Sequence, residues 1–348
     1  MPLGKDLELA KAAYMITRDL VKVKPGQTVL ITTDSANDWR PAEEIAKASE
    51  ALGAKTMVAW HSTPDGYGKV ADPKLPDCLK AAVVETDVWI ELNSQWLLYC
   101  TAWEQAMKKN RARYLFLGGL DTDRIIRCIG RTDLELQDKF QTRVVELTKK
   151  ARKMRITTPA GTDVSFENAP KRPVNSELWA DQPGPHFLLG QMSWAPIEKS
   201  INGTIVFDGS YSGGGPAELG VLKEPITYVV KEGRVAEILG GEEARTIRKW
   251  LEAFNDPRMY YIAHACYGFN CGCKLTGLCT EDERVWGCTE WGIGYQGPML
   301  GGALGDAASH ADGIGLNSSV WLDGQLMMEE GRLVDPVLAD LAHKMGKQ

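Results

Sequence analysis

The chain has 348 residues, of which 44% are hydrophobic and 25% charged, an ordinary globular composition that is long enough for two cores. Its formal net charge is -6 and it contains no Lys/Arg run, so it lacks the electrostatic footprint of a nucleic-acid or anionic-membrane binder. No apolar leader follows Met1-Pro2-Leu3-Gly4-Lys5-Asp6, and no apolar run has the roughly 18 residues of a membrane span, so the expected location is cytoplasmic with no membrane partner.

In chain order, Thr28-Val29-Leu30-Ile31-Thr32-Thr33 is a short apolar run rich in β-branched residues, which predicts a buried strand. Asp38 precedes Pro41, and Ile45, Ala48 and Leu52 recur at helical spacing. This predicts a helix capped near Asp38 and closed by Gly53. Thr56–Trp60, Val88–Leu92 and Tyr114–Leu117 read as further strands, and a helix is expected around Leu134 to Met154. Alternating strands and helices imply a mostly parallel sheet covered by helices. The pattern holds neither G-x-G-x-x-G after the first strand nor a P-loop, so the usual phosphate cradles are missing.

The pattern changes near Arg155. Arg155–Thr158 and Asp163–Phe166 flank a Pro-Ala-Gly turn and predict a hairpin. Gly203–Asp208 and Ile226–Val230 predict strands, Lys231–Arg234 a turn and Glu242–Phe254 a helix, whereas Gly268 to Gly315 reads as long loops. The expected fold class is an α/β N-terminal domain, residues 1–154, followed by a β-rich α+β metal-binding catalytic domain, residues 155–348.

Five of the eight cysteines, Cys266, Cys271, Cys273, Cys279 and Cys288, lie close together without a paired C-x2-C knuckle. Free thiols are the expected state, and a second, structural metal is the less frequent alternative. Only five histidines occur: His61, His186, His264, His310 and His343. His310-Ala311-Asp312 would place an imidazole and a carboxylate on one face of an extended segment. His264 follows the apolar run Tyr260–Ala263 and precedes a glycine-containing loop, where it can complete a 2-His-1-carboxylate set with positions left open for substrate and dioxygen. H-x-D alone is a short pattern that also arises by chance. His61 and His343 are expected to be structural or exposed, and Asp208 to sit in a turn.

Several ordered stretches from Arg155 onward carry a resemblance. They are Ile156–Asp163, Trp179–Gly184, Ala195–Thr204, Phe254–Pro257, His264 with Gly268, and His310-Ala311-Asp312 with Val320–Asp323. The chain resembles the 2,5-dihydroxypyridine 5,6-dioxygenases and, more distantly, the aminopeptidase T type of metallo-aminopeptidase. The aminopeptidases hold a metal pair, with Glu where this chain has Gln191 and His264. The resemblance to the dioxygenases therefore implies a single Fe(II) on His264, His310 and Asp312, with O2 as co-substrate. It implies extradiol-type opening of a hydroxylated N-heterocycle or arene, His186 as proton carrier and Glu177 as a substrate contact. It also implies self-association into a homo-oligomer. Tyr267, Trp291 and Tyr295 could stack on a flat substrate, although ordinary packing is the more frequent role of such residues. A metal-dependent aminopeptidase or amide hydrolase is the competing expectation, with Glu290 as a possible further carboxylate. A non-catalytic binding protein that kept the fold is a third.

Overall fold

The computed structural model describes residues 3–176 and 178–347. The chain divides into two compact units, Met1–Thr132 with Glu177–Leu189, and Asp133–Ser176 with Gly190–Gln348. A single division at residues 154 and 155 is thus corrected at two places, for physical reasons. Helix Leu134–Lys150 buries Phe140 and Val144 in the core of the antiparallel sheets. Strand Gly184–Phe187 returns to pair in parallel with Arg113–Phe116.

The first unit is built on a five-stranded parallel sheet in the order Lys55–His61, Thr28–Asp34, Val88–Glu91, Arg113–Phe116, Gly184–Phe187. Its inner strands are buried on both faces, which is why they read as unbroken apolar runs. Helix Arg40–Ala51 starts with Pro41 in its first turn and buries Ala42 and Ile45. Trp39 occupies the N-cap position, and the Asp38 carboxylate accepts from Arg40 N at the helix start, at 3.3 Å. It also accepts from Thr122 N and Oγ1 at 3.1 and 2.7 Å.

The second unit holds two antiparallel sheets. The predicted hairpin Lys153–Thr157/Asp163–Glu167 lies in the middle of an eight-stranded sheet, flanked by Asn202–Phe207 and Ser319–Leu322. The other sheet has seven strands, with the central order Ser210–Ser212, His310–Gly315, Cys288–Gly294, Ile262–Gly268, Gln191–Trp194. Two of these, Cys288–Gly294 and His310–Gly315, fall inside the stretch expected to be loop. Alternate residues of the seven-stranded sheet (Met192, Trp194, Tyr211, Ala265, Tyr267, Trp291, Ile293, Ala311) enter one apolar core with Ile156, Phe166, Ile205, Phe207 and Tyr228. The Trp291 ring meets Phe166 edge-on at 5.6 Å, and Tyr211 and Tyr228 share a hydroxyl hydrogen bond of 2.6 Å inside this core. The period-two alternation leaves the opposite face of the seven-stranded sheet free for polar side chains.

A partly buried ion pair fixes the loop between Gly294 and His310. Arg172 donates from both terminal nitrogens to Glu198 at 2.9 Å, and Glu198 Oε1 accepts from Ala303 N at 2.8 Å. Gln296 donates to Ala263 O at 2.7 Å and accepts from Leu304 N at 2.9 Å, tying the same loop to the His264 strand. Arg172→Ala leaves the Glu198 carboxylate without its cation. It is expected to cost about 1–3 kcal/mol, the cost of leaving a largely buried polar group without one of its partners. Urea unfolding should show a lower midpoint, and an unchanged midpoint would remove the pair from the account.

Candidate metal centre

The polar face of the seven-stranded sheet is set by strand register. His264 lies opposite Gly292, which in turn lies opposite Asp312. Cys266 lies opposite Glu290, and Gly294 opposite His310. Cross-strand partners share a face, so His264, Cys266, Glu290, His310 and Asp312 all project to the same side. A register shift between Ile262 and His264 marks a bulge, a device that re-aims a side chain. Gly292 makes room for the result, since a Cβ there would lie 2.2 Å from His264 Cε1 and 2.5 Å from Nδ1.

His264, His310 and Asp312 bring one donor atom each to within 4.8 Å of one another. His310 Nε2 is 2.9 Å and His264 Nε2 3.5 Å from the same oxygen, Asp312 Oδ1. Donors at right angles around an ion with bonds of about 2.1 Å sit about 3 Å apart, so these separations suit cis positions on one cation. The two imidazole rings lie nearly parallel, 5.2 Å apart and inclined by 20°. His310 Nδ1 donates to the Tyr295 carbonyl at 2.7 Å, which directs Nε2 toward Asp312 and the site, where a metal would replace its proton. The donor set present therefore fits a divalent metal ion.

Glu290 belongs to the cluster as well. It is fully buried, and its carboxylate lies 3.0 Å from His264 Nε2. Beyond it, Gln191 Nε2 donates to Glu283 Oε2 at 2.9 Å while Gln191 Oε1 accepts from Arg284 at 2.9 Å. Arg284, itself buried, also donates to Glu283 Oε2 at 2.7 Å. Cys279 Sγ reaches Glu283 Oε1 at 3.0 Å.

The electrostatics follow from burial and crowding. Burial holds the His264 imidazole down, to about 4, so it is a neutral donor throughout the physiological range. Burial also opposes charge on His310, but the Asp312 carboxylate outweighs it and raises this imidazole to about 9. Burial pushes the Asp312 carboxyl up, and burial together with the Glu283 charge pushes Glu290 up to about 7. A metal must therefore displace the His310 proton at any pH below about 9. Metal binding at pH 7.5 is expected to release about one proton per ion, with apparent affinity rising as pH rises toward the His310 value. Calorimetry in buffers of different ionisation enthalpy measures that release. Binding without proton release would contradict this reading of His310.

Three comparisons bear on what these residues belong to. A family model described as 2,5-dihydroxypyridine 5,6-dioxygenase matches residues 11–335. The chain belongs to the 2,5-dihydroxypyridine 5,6-dioxygenase family. It is 25% identical over 340 residues to the 2,5-dihydroxypyridine 5,6-dioxygenase of Pseudomonas putida KT2440, covering 91% of this chain and 93% of that protein. The fold is similar to the solved 2,5-dihydroxypyridine dioxygenase of Pseudomonas putida KT2440, with a TM-score of 0.77 at 21% identity over 96% of this chain and 99% of that one. It is also similar to AmpT from Thermus thermophilus, with a TM-score of 0.67 at 13% identity over 94% of this chain and 99% of that one.

Within this member of the dioxygenase family, two sequence expectations are corrected. Tyr267 and Trp291 cannot stack on a substrate at the His264 face, because both sit in the apolar core on the opposite side of the sheet, with 0% and 1% exposure. Parity is the reason: each lies an odd number of residues from the site residues of its own strand, three from His264 and one from Glu290. Tyr295 is half-buried, and its carbonyl orients His310. His186 lies in the parallel sheet of the first unit, where its Nε2 donates to the Gln182 carbonyl at 2.8 Å. Its buried Nδ1 has no hydrogen-bond partner among the described residues. Glu177 lies outside the described residues. All eight thiols are free. His61 is held by Asn93 and the Ser62 carbonyl, and His343 is exposed on helix Pro336–Lys344.

Proposed function

We propose that the chain is a mononuclear non-haem Fe(II) dioxygenase of extradiol type, opening the ring of a hydroxylated N-heterocycle or arene such as 2,5-dihydroxypyridine. The observation that carries this reading is the set His264, His310 and Asp312, three donors at cis spacing on the partly open face of one sheet. An Fe(II) bound there would supply positions for a ring oxygen and for O2, and a path for electron density between them.

The chain's own residues have distinct tasks in this reading. Asp312 contributes negative charge that offsets the cation, and the Tyr295 carbonyl keeps the His310 ring in register. Gly292 keeps the His264 ring flat against its strand. His186, whose Nε2 donates to the Gln182 carbonyl, is the proposed proton carrier from the family resemblance. Glu177 is the proposed substrate contact from the family resemblance. We further propose a homo-oligomer on the same ground. Among the described residues no helix is long and apolar enough to cross a membrane.

A two-ion amide hydrolase is less well supported. Gln191 is neutral and has both ends of its amide engaged by Glu283 and Arg284. The buried Arg284 guanidinium already supplies positive charge to Glu283. Turnover under 18O2 separates the two readings: a dioxygenase places label from O2 in the ring-opened product, whereas a hydrolase takes its oxygen from water.

A further inference from the structure

Glu290 stands outside the three-residue set, and its buried carboxyl meets Cys266 and Asp312 as well as His264. It lies in the centre strand of three, flanked by Cys266 on one side and Ile314 on the other. Its side chain has no solvent exposure. Oε1 lies 3.0 Å and Oε2 3.2 Å from the same nitrogen, His264 Nε2. Oε1 makes no hydrogen bond of acceptable geometry among the described residues. A buried carboxylate oxygen left in that condition is costly unless a cation meets it.

The tautomer sharpens the point. A metal-ready His264 turns a lone pair, not an N–H, out of Nε2. With no ion, Nε2–H donates to Glu290 Oε2 at 3.2 Å; once Nε2 is the lone-pair nitrogen, both Glu290 oxygens face that lone pair. That arrangement becomes attractive when an ion lies between them. Asp312 Oδ1 stands 3.5 Å from the same nitrogen, so His264, Glu290 and Asp312 converge on one point. Donors about 3 Å apart are again the spacing of cis ligands on one ion.

We propose that Glu290 is a fourth protein donor to the ion held by His264, His310 and Asp312. The inference rests on the reading of those three residues as a metal centre. It changes what the centre accepts. With four protein donors, a six-coordinate ion keeps two positions for exogenous ligands. A substrate bound through one ring oxygen leaves the second position for O2. A ring with adjacent hydroxyls that chelates through both oxygens fills the two positions and excludes O2. The favoured substrate class is therefore a ring whose hydroxyls are not adjacent, and chelating catechols act as inhibitors.

The test is an anaerobic Fe(II)-loaded crystal structure of the full chain, paired with Fe(II) titration of the wild type, Glu290→Gln, Glu290→Ala and His264→Ala. The expected result is a Glu290 oxygen about 2.0–2.2 Å from the ion and at least a tenfold loss of affinity in both Glu290 variants. A Glu290 carboxylate beyond about 3 Å from the bound ion overturns the proposal, whatever the variants do. Wild-type affinity in Glu290→Gln with loss of metal in His264→Ala overturns it while leaving the three-residue centre in place. Full affinity in His264→Ala overturns both.

Discussion

Alanine at His264, His310 or Asp312 is expected, one at a time, to reduce bound Fe(II) to background and to remove ring-opening activity. Substituting groups that only hydrogen-bond to metal ligands already costs about 10–100-fold in affinity, and removing a donor costs more. The three side chains lie on the polar face of their sheet, away from the packed interior formed by Trp291, Tyr267 and Phe166. Their loss should therefore leave the far-ultraviolet circular dichroism unchanged. Asp312→Ala carries a second effect. It removes the carboxylate that holds the His310 imidazole up near 9, so this imidazole becomes neutral at lower pH. Metal content by plasma emission decides the matter, and three variants that all retain one Fe(II) per chain would end the assignment.

Gly292→Ala should be nearly as damaging, although it adds one methyl and removes no donor. The new Cβ would lie 2.2 Å from His264 Cε1, 2.5 Å from Nδ1 and 2.8 Å from Nε2, so the imidazole must leave its place. Overpacking of this kind costs about 1–3 kcal/mol in stability. The larger consequence is functional, because a metal donor tolerates displacement of only about 0.5 Å. Fe(II) affinity is expected to fall toward that of His264→Ala, with a modest drop in the unfolding midpoint. Wild-type affinity in Gly292→Ala would mean that the ring has another place to go and that the register argument is wrong.

That glycine also explains what the sequence concealed. The inner strands of the parallel sheet were legible because burial on both faces demands continuous apolar residues, as in Val29-Leu30-Ile31. The hairpin at Pro159-Ala160-Gly161 was legible from its turn chemistry. Glycines give Cys288–Gly294 and His310–Gly315 the local pattern of loop, although both are strands. Gly292 and Gly313 are required by close approach, of the His264 ring and the Phe207 ring respectively. A period-two reading of Glu290-Trp291-Gly292-Ile293-Gly294 would have found the first strand, with Trp291 and Ile293 inward and Glu290 toward the site. The same parity would have removed Tyr267 and Trp291 from the substrate-contact set. The spacing of His310-Ala311-Asp312 puts both side chains on one face wherever the segment is extended, as it is in strand His310–Gly315. The domain boundary was not legible, since nothing local reveals that Gly184–Phe187 returns to the first sheet.

The most direct measurement is O2 consumption by the anaerobically reconstituted Fe(II) protein, with 2,5-dihydroxypyridine and related hydroxylated rings supplied in turn. The account predicts one O2 taken up per ring opened, only with Fe(II) present, and loss of the ring absorbance at the same rate. No uptake with any ring, together with Zn- or Co-dependent cleavage of aminoacyl amides, would contradict it and move the centre to hydrolysis.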